Sequence, residues 1–231
     1  FPCCWGTLSE SFSKLSDSIY FGAPDGSAFY VNLFVSSVAK WAGNPGVTIE
    51  QAAYFPSDPK LTGTITVRIK KPVGRAGPQQ APRNVTGEAG TATSNFSLRI
   101  RVPSWLKTQG SAQVNGKPAG VPPVVAGTYL DLTREWADGD VVDFAFPPSL
   151  WTAPLNDKHA WHNATVAFMY GPLVLAGVGV ASDLFVPNGK ATAPDSFIVR
   201  NSSSDLQFEA TSATGGKMRL IPLREVMDES Y

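Results

Sequence analysis

Apolar and polar residues alternate with a period of two along much of this chain. Three stretches place apolar side chains at every second position: 28–38, 64–70 and 94–105. Because successive side chains of a β-strand point to opposite faces of a sheet, each stretch predicts a strand with one buried and one solvent-facing side. The pattern therefore predicts a mainly β protein, and face-to-face packing of such sheets gives a β-sandwich.

Turn signals separate these strands. Asn115-Gly116 is a strong hairpin signal because both residues tolerate positive φ. Asp138-Gly139 predicts a turn between two strands in 128–147, and Gly171-Pro172 breaks an apolar strand pair in 164–178. The segment 71–93 has no periodicity and much Pro, Gly and Ala, so we expect a loop or an insertion there.

A different period precedes the strands. Leu8, Phe12, Leu15 and Ile19 recur at helical spacing, and the Gly- and Pro-containing sequence "FGAPDG" follows them. Thr7 and Glu10 have the spacing of a capping box, in which each side chain accepts a hydrogen bond from a free backbone N–H. The sequence thus predicts a helix over 7–20 that begins at Thr7.

Composition narrows the possible partners. Formal net charge is zero over 231 residues, which argues against a nucleic-acid or acidic-lipid partner. No run of 18 apolar residues predicts a membrane span. The first residues lack an initiator Met and a basic signal-peptide region, so we expect a chain cut from a longer protein. Four N-glycosylation sequons favour a secreted, cell-wall or endomembrane location: Asn84, Asn95, Asn163 and Asn201.

The two cysteines of the chain, Cys3 and Cys4, are adjacent. A trans peptide separates neighbouring Cα atoms by about 3.8 Å, whereas disulfides usually need roughly 4.4 to 6.8 Å. The pair is therefore expected to be free thiols, metal ligands or a reactive pair. A nearby helix N-terminus favours an anion, and a thiolate is both a nucleophile and a zinc ligand. Residue chemistry alone also leaves open a structural or incidental pair.

The segment around the cysteines, "FPCCWGTLSESFSKLSDSIYF", resembles the paired-cysteine segment of glycoside hydrolase family 127. These are the β-L-arabinofuranosidase-like proteins, formerly the domain of unknown function DUF1680. The sequence of this segment most resembles that of plant-type members. Further family motifs follow in order: "FYVNLFVSS", "LRIRVPSW", "VNGKP", "GTYLDLTREWADGDVVDFAFP" and "ATVAFMYGPLVLAG". The resemblance covers about residues 1–180.

This resemblance implies a retaining glycosidase that uses a cysteine instead of the usual carboxylate nucleophile. Cys3 would attack the anomeric carbon and form a thioglycosyl intermediate that water hydrolyses. Zinc would be held by Cys3, Cys4 and a Glu-x-Cys motif further upstream, and an upstream glutamate would be the general acid/base. The implied substrate is an oligosaccharide or cell-wall glycan that contains arabinose.

The resemblance also implies three domains. Residues 1–21 would be the last helix of an (α/α)6 catalytic barrel, 22–152 a middle β-sandwich, and 153–231 the start of a C-terminal β domain. The missing barrel would be an intramolecular partner and would carry the other zinc ligands and the acid/base glutamate. We therefore expect this chain alone to be inactive and to bind no zinc, with Glu10 as a capping residue only.

A second interpretation is a non-catalytic sandwich that binds carbohydrate or has a structural role. Several residue sets have both a functional and an ordinary structural interpretation, and for each we expect the structural one. These sets are Trp105, Trp136 and Trp151 (sugar stacking or core), His159 and His162 (metal or loop), Asp138 and Asp140 (calcium or acid pair, or turn), and Arg99 and Arg101 (ligand or solvated face).

Overall fold

The computed structural model describes residues 2–14, 16–53, 62–70, 85–86, 92–120, 124–155, 159, 165–178, 193–201 and 206–226. This part of the chain is mainly β, as predicted, with one α-helix, α1, at Pro2–Ser13. Two compact units are present. Unit 1 comprises Phe1–Ser104 and Gln109–Phe146, and unit 2 comprises Trp105–Thr108 and Pro147–Tyr231.

Unit 1 contains two sheets. Sheet A has the order β1-β2-β7-β10, with β6 also paired to β7, and its strands are β1 (Tyr20–Gly22), β2 (Ala28–Val31), β6 (Val85–Thr86), β7 (Thr93–Arg101) and β10 (Tyr129–Ala137). Sheet B has the order β3-β4-β5-β11-β8-β9, with strands β3 (Ser37–Lys40), β4 (Val47–Ala53), β5 (Thr62–Ile69), β8 (Ser111–Val114), β9 (Lys117–Pro118) and β11 (Val141–Ala145).

The two sheets of unit 1 pack through their apolar faces. Aromatic rings join them, since Trp41 contacts Phe29 and Phe96, with ring centroids 5.3 Å apart in both pairs. Asn44 and Ser94, which are both buried, form a side-chain hydrogen bond of 3.0 Å. A polar pair in this core is tolerated because the two side chains satisfy each other.

Unit 2 is built on sheet C, with the order β12-β13-β14-β17-β16-β15. Its strands are β12 (Leu150–Pro154), β13 (Val166–Tyr170), β14 (Leu173–Val178), β15 (Ile198–Arg200), β16 (Phe208–Thr211) and β17 (Lys217–Pro222), and 3₁₀ turns lie at Pro194–Ser196 and Leu223–Glu225. A core cluster that includes Phe197, Phe208 and Leu220 covers one side of the sheet.

Several predicted strands are confirmed. The apolar positions of 64–70 and 94–105 are buried in β5 and β7, as the alternation predicted. Asn115 and Gly116 both have positive φ (52° and 73°) between β8 and β9, which pair as an antiparallel hairpin. Gly171, with φ of 55°, lies in the turn between β13 and β14. Most of the predicted loop 71–93 lies outside the described residues.

The single strand predicted over 28–38 is wrong. The chain forms β2 in sheet A and then β3 in sheet B, and Val35 between them is exposed. Periodicity cannot detect such a change of sheet because it indicates which face of a strand is buried and not which strand lies beside it. The Asp138-Gly139 turn likewise connects β10 in sheet A to β11 in sheet B.

The predicted helix boundaries and capping box are also wrong. Helix α1 begins at Pro2, and the Thr7 hydroxyl lies inside it, donating to the Cys3 carbonyl at 3.0 Å. Proline suits the first turn of a helix because it lacks the N–H that would have no partner there. Glu10 is not a cap but forms an i,i+4 ion pair with Lys14 at 2.5 Å. None of the helices described is long and apolar enough to cross a membrane.

Replacing Gly63 by alanine tests the packing of sheet B. A Cβ at Gly63 would overlap the Phe144 ring, with Cε1 at 2.8 Å, and that ring also contacts Phe34 and Phe146. Because the ring is enclosed, we expect Gly63→Ala to lower the free energy of unfolding by about 1–3 kcal/mol. The matched control is Gly6→Ala, where nothing lies within 4 Å of the new Cβ. Equal unfolding midpoints in denaturant for the two variants would contradict this packing.

Candidate functional site

The cysteine pair lies on the surface of α1. Cys3 and Cys4 occupy the first turn of the helix, where partial positive charge concentrates. Both side chains are exposed, and their Sγ atoms are 3.8 Å apart without a disulfide between them. Both thiols are therefore accessible to a ligand or a substrate.

The separation of the two sulfur atoms fits one edge of a zinc site. With Zn–S bonds of about 2.3 Å and tetrahedral angles, two thiolates on one zinc ion are about 3.8 Å apart. The Cys3 and Cys4 sulfurs are at this distance. Among the described residues, however, no group of three or more His, Cys, Asp and Glu side chains is arranged to hold a metal. The pair thus fits half of a tetrahedral zinc site.

The acidic pair at 138 and 140 has a structural role. The Asp138 carboxylate accepts a hydrogen bond from the Ile69 N–H at 2.8 Å. Asp140, which is 8% exposed, accepts hydrogen bonds from the Ala137 N–H at 3.0 Å and the Asn115 amide at 2.8 Å. Both carboxylates thereby hold the corner between β10 and β11, which agrees with their interpretation as turn residues.

The two arginines of β7 lie on the outer face of sheet A. The Arg99 guanidinium donates to Asp131 at 2.7 Å and to the Tyr30 hydroxyl at 2.6 Å. These two hydrogen bonds raise the pKa of Arg99 above its ordinary value, and the one to Asp131 has the larger effect. Arg101 is exposed beside Tyr129, its partner in the register.

The sequence did not identify Tyr30 and Asp131 as partners of Arg99. The signal that could have found them is the alternation itself, which puts all three on the polar faces of their strands. Only the register aligns them in one row, because Arg99 pairs with Tyr30 of β2 on one side and with Asp131 of β10 on the other.

The tryptophans do not form one exposed platform. Trp136 is 0% exposed, and its Nε1 donates to the Phe96 carbonyl at 3.0 Å, so it belongs to the core. Trp105 and Trp151 are partly buried in unit 2, where the Trp151 Nε1 donates to the Gly171 carbonyl at 2.7 Å.

The histidines and sequons are only partly described. His159 and the sequon asparagines Asn95 and Asn201 are exposed. His162, Asn84 and Asn163 lie outside the described residues. The histidine pair and all four sequons thus stay predictions from sequence.

Comparison with known proteins relates unit 1 to one enzyme family. Residues 28–148 match the sequence profile described as the GH127 middle domain of β-L-arabinofuranosidase. A non-reducing end β-L-arabinofuranosidase from Bifidobacterium longum subsp. longum is 24% identical over 174 residues, which make up 74% of this chain and 22% of the relative.

Solved structures show the same fold. A GH127 β-L-arabinofuranosidase from Geobacillus stearothermophilus T6 aligns with a TM-score of 0.61 and 21% identity, over 95% of this chain and 34% of that one. A second structure, of a glycoside hydrolase, gives a TM-score of 0.55 and 20% identity, over 88% and 34% of the two chains. The chain therefore spans about a fifth to a third of the length of these relatives.

The structural role of Asp140 predicts the effect of its removal. Asp140→Ala leaves the Ala137 N–H and the Asn115 amide without their acceptor, so we expect the free energy of unfolding to fall by about 1–3 kcal/mol. Exposed Asp17 is the matched control, and Asp17→Ala should change the free energy of unfolding by less than about 0.5 kcal/mol. Thermal unfolding with added calcium or with a chelator should give the same midpoint; a calcium-dependent rise that Asp140→Ala removes would assign Asp140 to a metal site.

Proposed function

This chain belongs to glycoside hydrolase family 127 by its middle domain, residues 28–148, and we propose its function from that membership. It is part of a zinc-dependent retaining glycoside hydrolase of the β-L-arabinofuranosidase type, acting on arabinose-containing glycans. The observation that carries the proposal is the exposed Cys3–Cys4 pair, whose sulfur atoms have the spacing of two thiolate ligands on one zinc ion.

In the proposed reaction Cys3 is the nucleophile. Its thiolate attacks the anomeric carbon, a C–S bond forms, and the glycosidic C–O bond breaks as the leaving oxygen takes a proton from a carboxylic acid. The resulting carboxylate then takes a proton from water, whose oxygen attacks the same carbon and releases the Cys3 thiolate. Two inversions at that carbon leave its configuration retained.

Cys3 and Cys4 are the residues of this chain that would hold the metal. When bound, zinc stabilises the thiolate form and orients it. The first turn of α1 supports the same arrangement, because it fixes the two sulfurs on one exposed surface at the positive end of the helix. The remaining ligands and the acid/base carboxylate are proposed to come from a barrel domain that precedes residue 1, so the isolated chain is proposed to be inactive.

The exposure of α1 supports its assignment to such a barrel. Every α1 side chain whose burial is described is exposed, and Leu8 is 62% exposed. An isolated helix of this length is marginal in water, so contacts with another element are expected to stabilise it. We accordingly propose that 1–21 completes the barrel, that the middle sandwich follows it, and that a C-terminal β domain begins near Pro147 and not at 153, because β12 (Leu150–Pro154) belongs to sheet C of unit 2.

A non-catalytic carbohydrate-binding role is the second candidate. The observation that favours it is the outer face of sheet A, where Tyr129 is 42% exposed and a row of hydrogen-bonded polar side chains lies beside it. Such a role is compatible with the catalytic one, because the cysteine pair on α1 and the outer face of sheet A consist of different residues of unit 1.

Secretion and a plant-type relationship also remain proposals. Exposed Asn95 and Asn201 are sterically suited to carry glycans. Enzymatic removal of N-glycans from the native protein should then lower its mass, and an unchanged mass would count against secretion through the glycosylating pathway.

Substitution of Cys3 tests the catalytic proposal directly. In the protein expressed from its complete coding sequence, Cys3→Ala should reduce kcat/KM on a chromogenic β-L-arabinofuranoside by at least about a thousandfold, because no group replaces the nucleophile. Mass spectrometry of the unmodified enzyme with a slow substrate should show one pentosyl adduct on the peptide that contains Cys3.

Two controls separate catalysis from folding and metal binding. Ser9→Ala changes an exposed side chain of the same helix and should leave kcat/KM within about twofold. Cys4→Ala should lower the zinc content measured by elemental analysis, because it removes one of the two thiolates. If Cys3→Ala kept activity, or if the adduct lay on another residue, Cys3 would not be the nucleophile.

A further inference from the structure

A groove runs along one open side of the unit 1 sandwich. It lies between β10, the edge strand of sheet A, and the β8–β9 hairpin at the edge of sheet B, and it has a volume of about 940 Å³. Nearly buried Val114 and Leu132 contribute apolar surface to it. Charged side chains, including Lys117, Arg134 and Glu135, line it together with the short segment 118–120. The groove therefore has room for several sugar units and offers polar and apolar surface in about equal measure.

The edge of β10 in this groove offers unpaired backbone groups. In an antiparallel pair, alternate residues bond to the partner strand while those between them point away. The Val102 N–H donates to the Thr128 carbonyl, so the even-numbered residues of β10 bond to β7. The backbone groups of Asp131 and Thr133 consequently point towards the groove, and among the described residues no strand pairs with this edge.

The polar side chains on the rim are held in place before any ligand binds. Asp131 accepts hydrogen bonds from Arg99 at 2.7 Å and from the Thr133 hydroxyl at 2.8 Å. Because Thr133 uses its proton on Asp131, Ser97 donates to Thr133, at 2.5 Å. Glu135 accepts from another hydroxyl of β7 at 2.8 Å. A rim fixed in this way loses little conformational entropy when it binds.

An exposed but fixed aromatic ring continues the rim. Tyr129, two residues before Asp131 on the same face, is 42% exposed. Its ring packs edge-on against Tyr30, with centroids 5.4 Å apart at 86°, and its hydroxyl donates to Asn32 at 3.1 Å. The ring thus offers apolar surface to solvent in one orientation.

We propose that the groove and Tyr129 form a binding site for an uncharged arabinose-containing oligosaccharide. The Tyr129 ring stacks on the C–H face of one sugar, while the Asp131 carboxylate and the free edge of β10 bond hydroxyl groups of its neighbours. Two acidic residues, Asp131 and Glu135, balance two basic ones, Lys117 and Arg134, which favours a neutral chain over a charged one. The choice of arabinose rests on the proposed function; the site itself rests on the groove.

Affinity electrophoresis through gels containing soluble linear arabinan tests the site. The complete protein is used in a Cys3→Ala background, so that the polymer is not cut during the measurement. Tyr129→Ala should weaken the apparent affinity at least about tenfold, since it removes the stacking surface. Tyr129→Phe keeps the ring and should stay within about threefold of the parent.

The controls make the result specific. Val38→Ala alters a 64% exposed side chain on β3 in the same unit and should leave the affinity unchanged. Circular dichroism identifies a variant that fails to fold. If Tyr129→Ala does not fold, Thr133→Val replaces it in the test: this variant removes a hydroxyl from the rim, and we expect it to weaken binding. Absence of retention by arabinan, or equal retention of Tyr129→Ala and its parent, overturns the proposal.

The two proposals fail separately. If Cys3→Ala retains hydrolysis while Tyr129→Ala loses arabinan binding, the groove stands and the nucleophile assignment falls. If Cys3→Ala loses hydrolysis while Tyr129→Ala binds as its parent does, the enzyme assignment stands and the groove falls.

Discussion

The pairing register of β7 with β10 is the constraint on which unit 1 depends. These two nine-residue strands pair along their whole length, from Tyr129 opposite Arg101 to Ala137 opposite Thr93. Because side chains alternate, the register directs Phe96 and Trp136 into the core and leaves Arg99 and Asp131 on the outer face. A slip by one residue would exchange the two faces, so the core and the polar surface are specified together.

The geometry of the cysteine pair does not depend on this register. Its geometry is local, since adjacent residues in one helical turn hold the two sulfurs at 3.8 Å. Nothing distant is needed to place them, whereas a tetrahedral zinc site requires two further ligands. For the proposed zinc site, Cys3 and Cys4 would therefore supply two of the four ligands, and the described residues bring no further ligands to them.

The middle sandwich has an ordered polar outer face. Internal hydrogen bonds hold the outer face of sheet A, and these link residues from three strands through Arg99. The adjacent edge of β10 faces a groove, and no strand among the described residues pairs with it. Edge strands are commonly protected by charged side chains, and here Arg134 and Glu135 serve that purpose while they line the groove.

The sequence by itself determined the mainly β character, the half-buried strands β5 and β7 and the Asn115-Gly116 hairpin. Each of these follows from local periodicity or from residues that tolerate positive φ. It also marked Cys3 and Cys4, because their adjacency is itself the signal. The start of α1 was misplaced, since a hydroxyl and a carboxylate at capping-box spacing occur equally well inside a helix.

Only the tertiary structure decided which strands share a sheet. It split 28–38 between two sheets, turned the Asp138-Gly139 corner from one sheet to the other, and brought Arg99 to Asp131 from 32 positions away. The physical reason is that the alternation tells each strand which of its faces is buried but not which strand lies beside it. Pairing between distant segments is selected by the packing of the whole core, which local sequence does not encode.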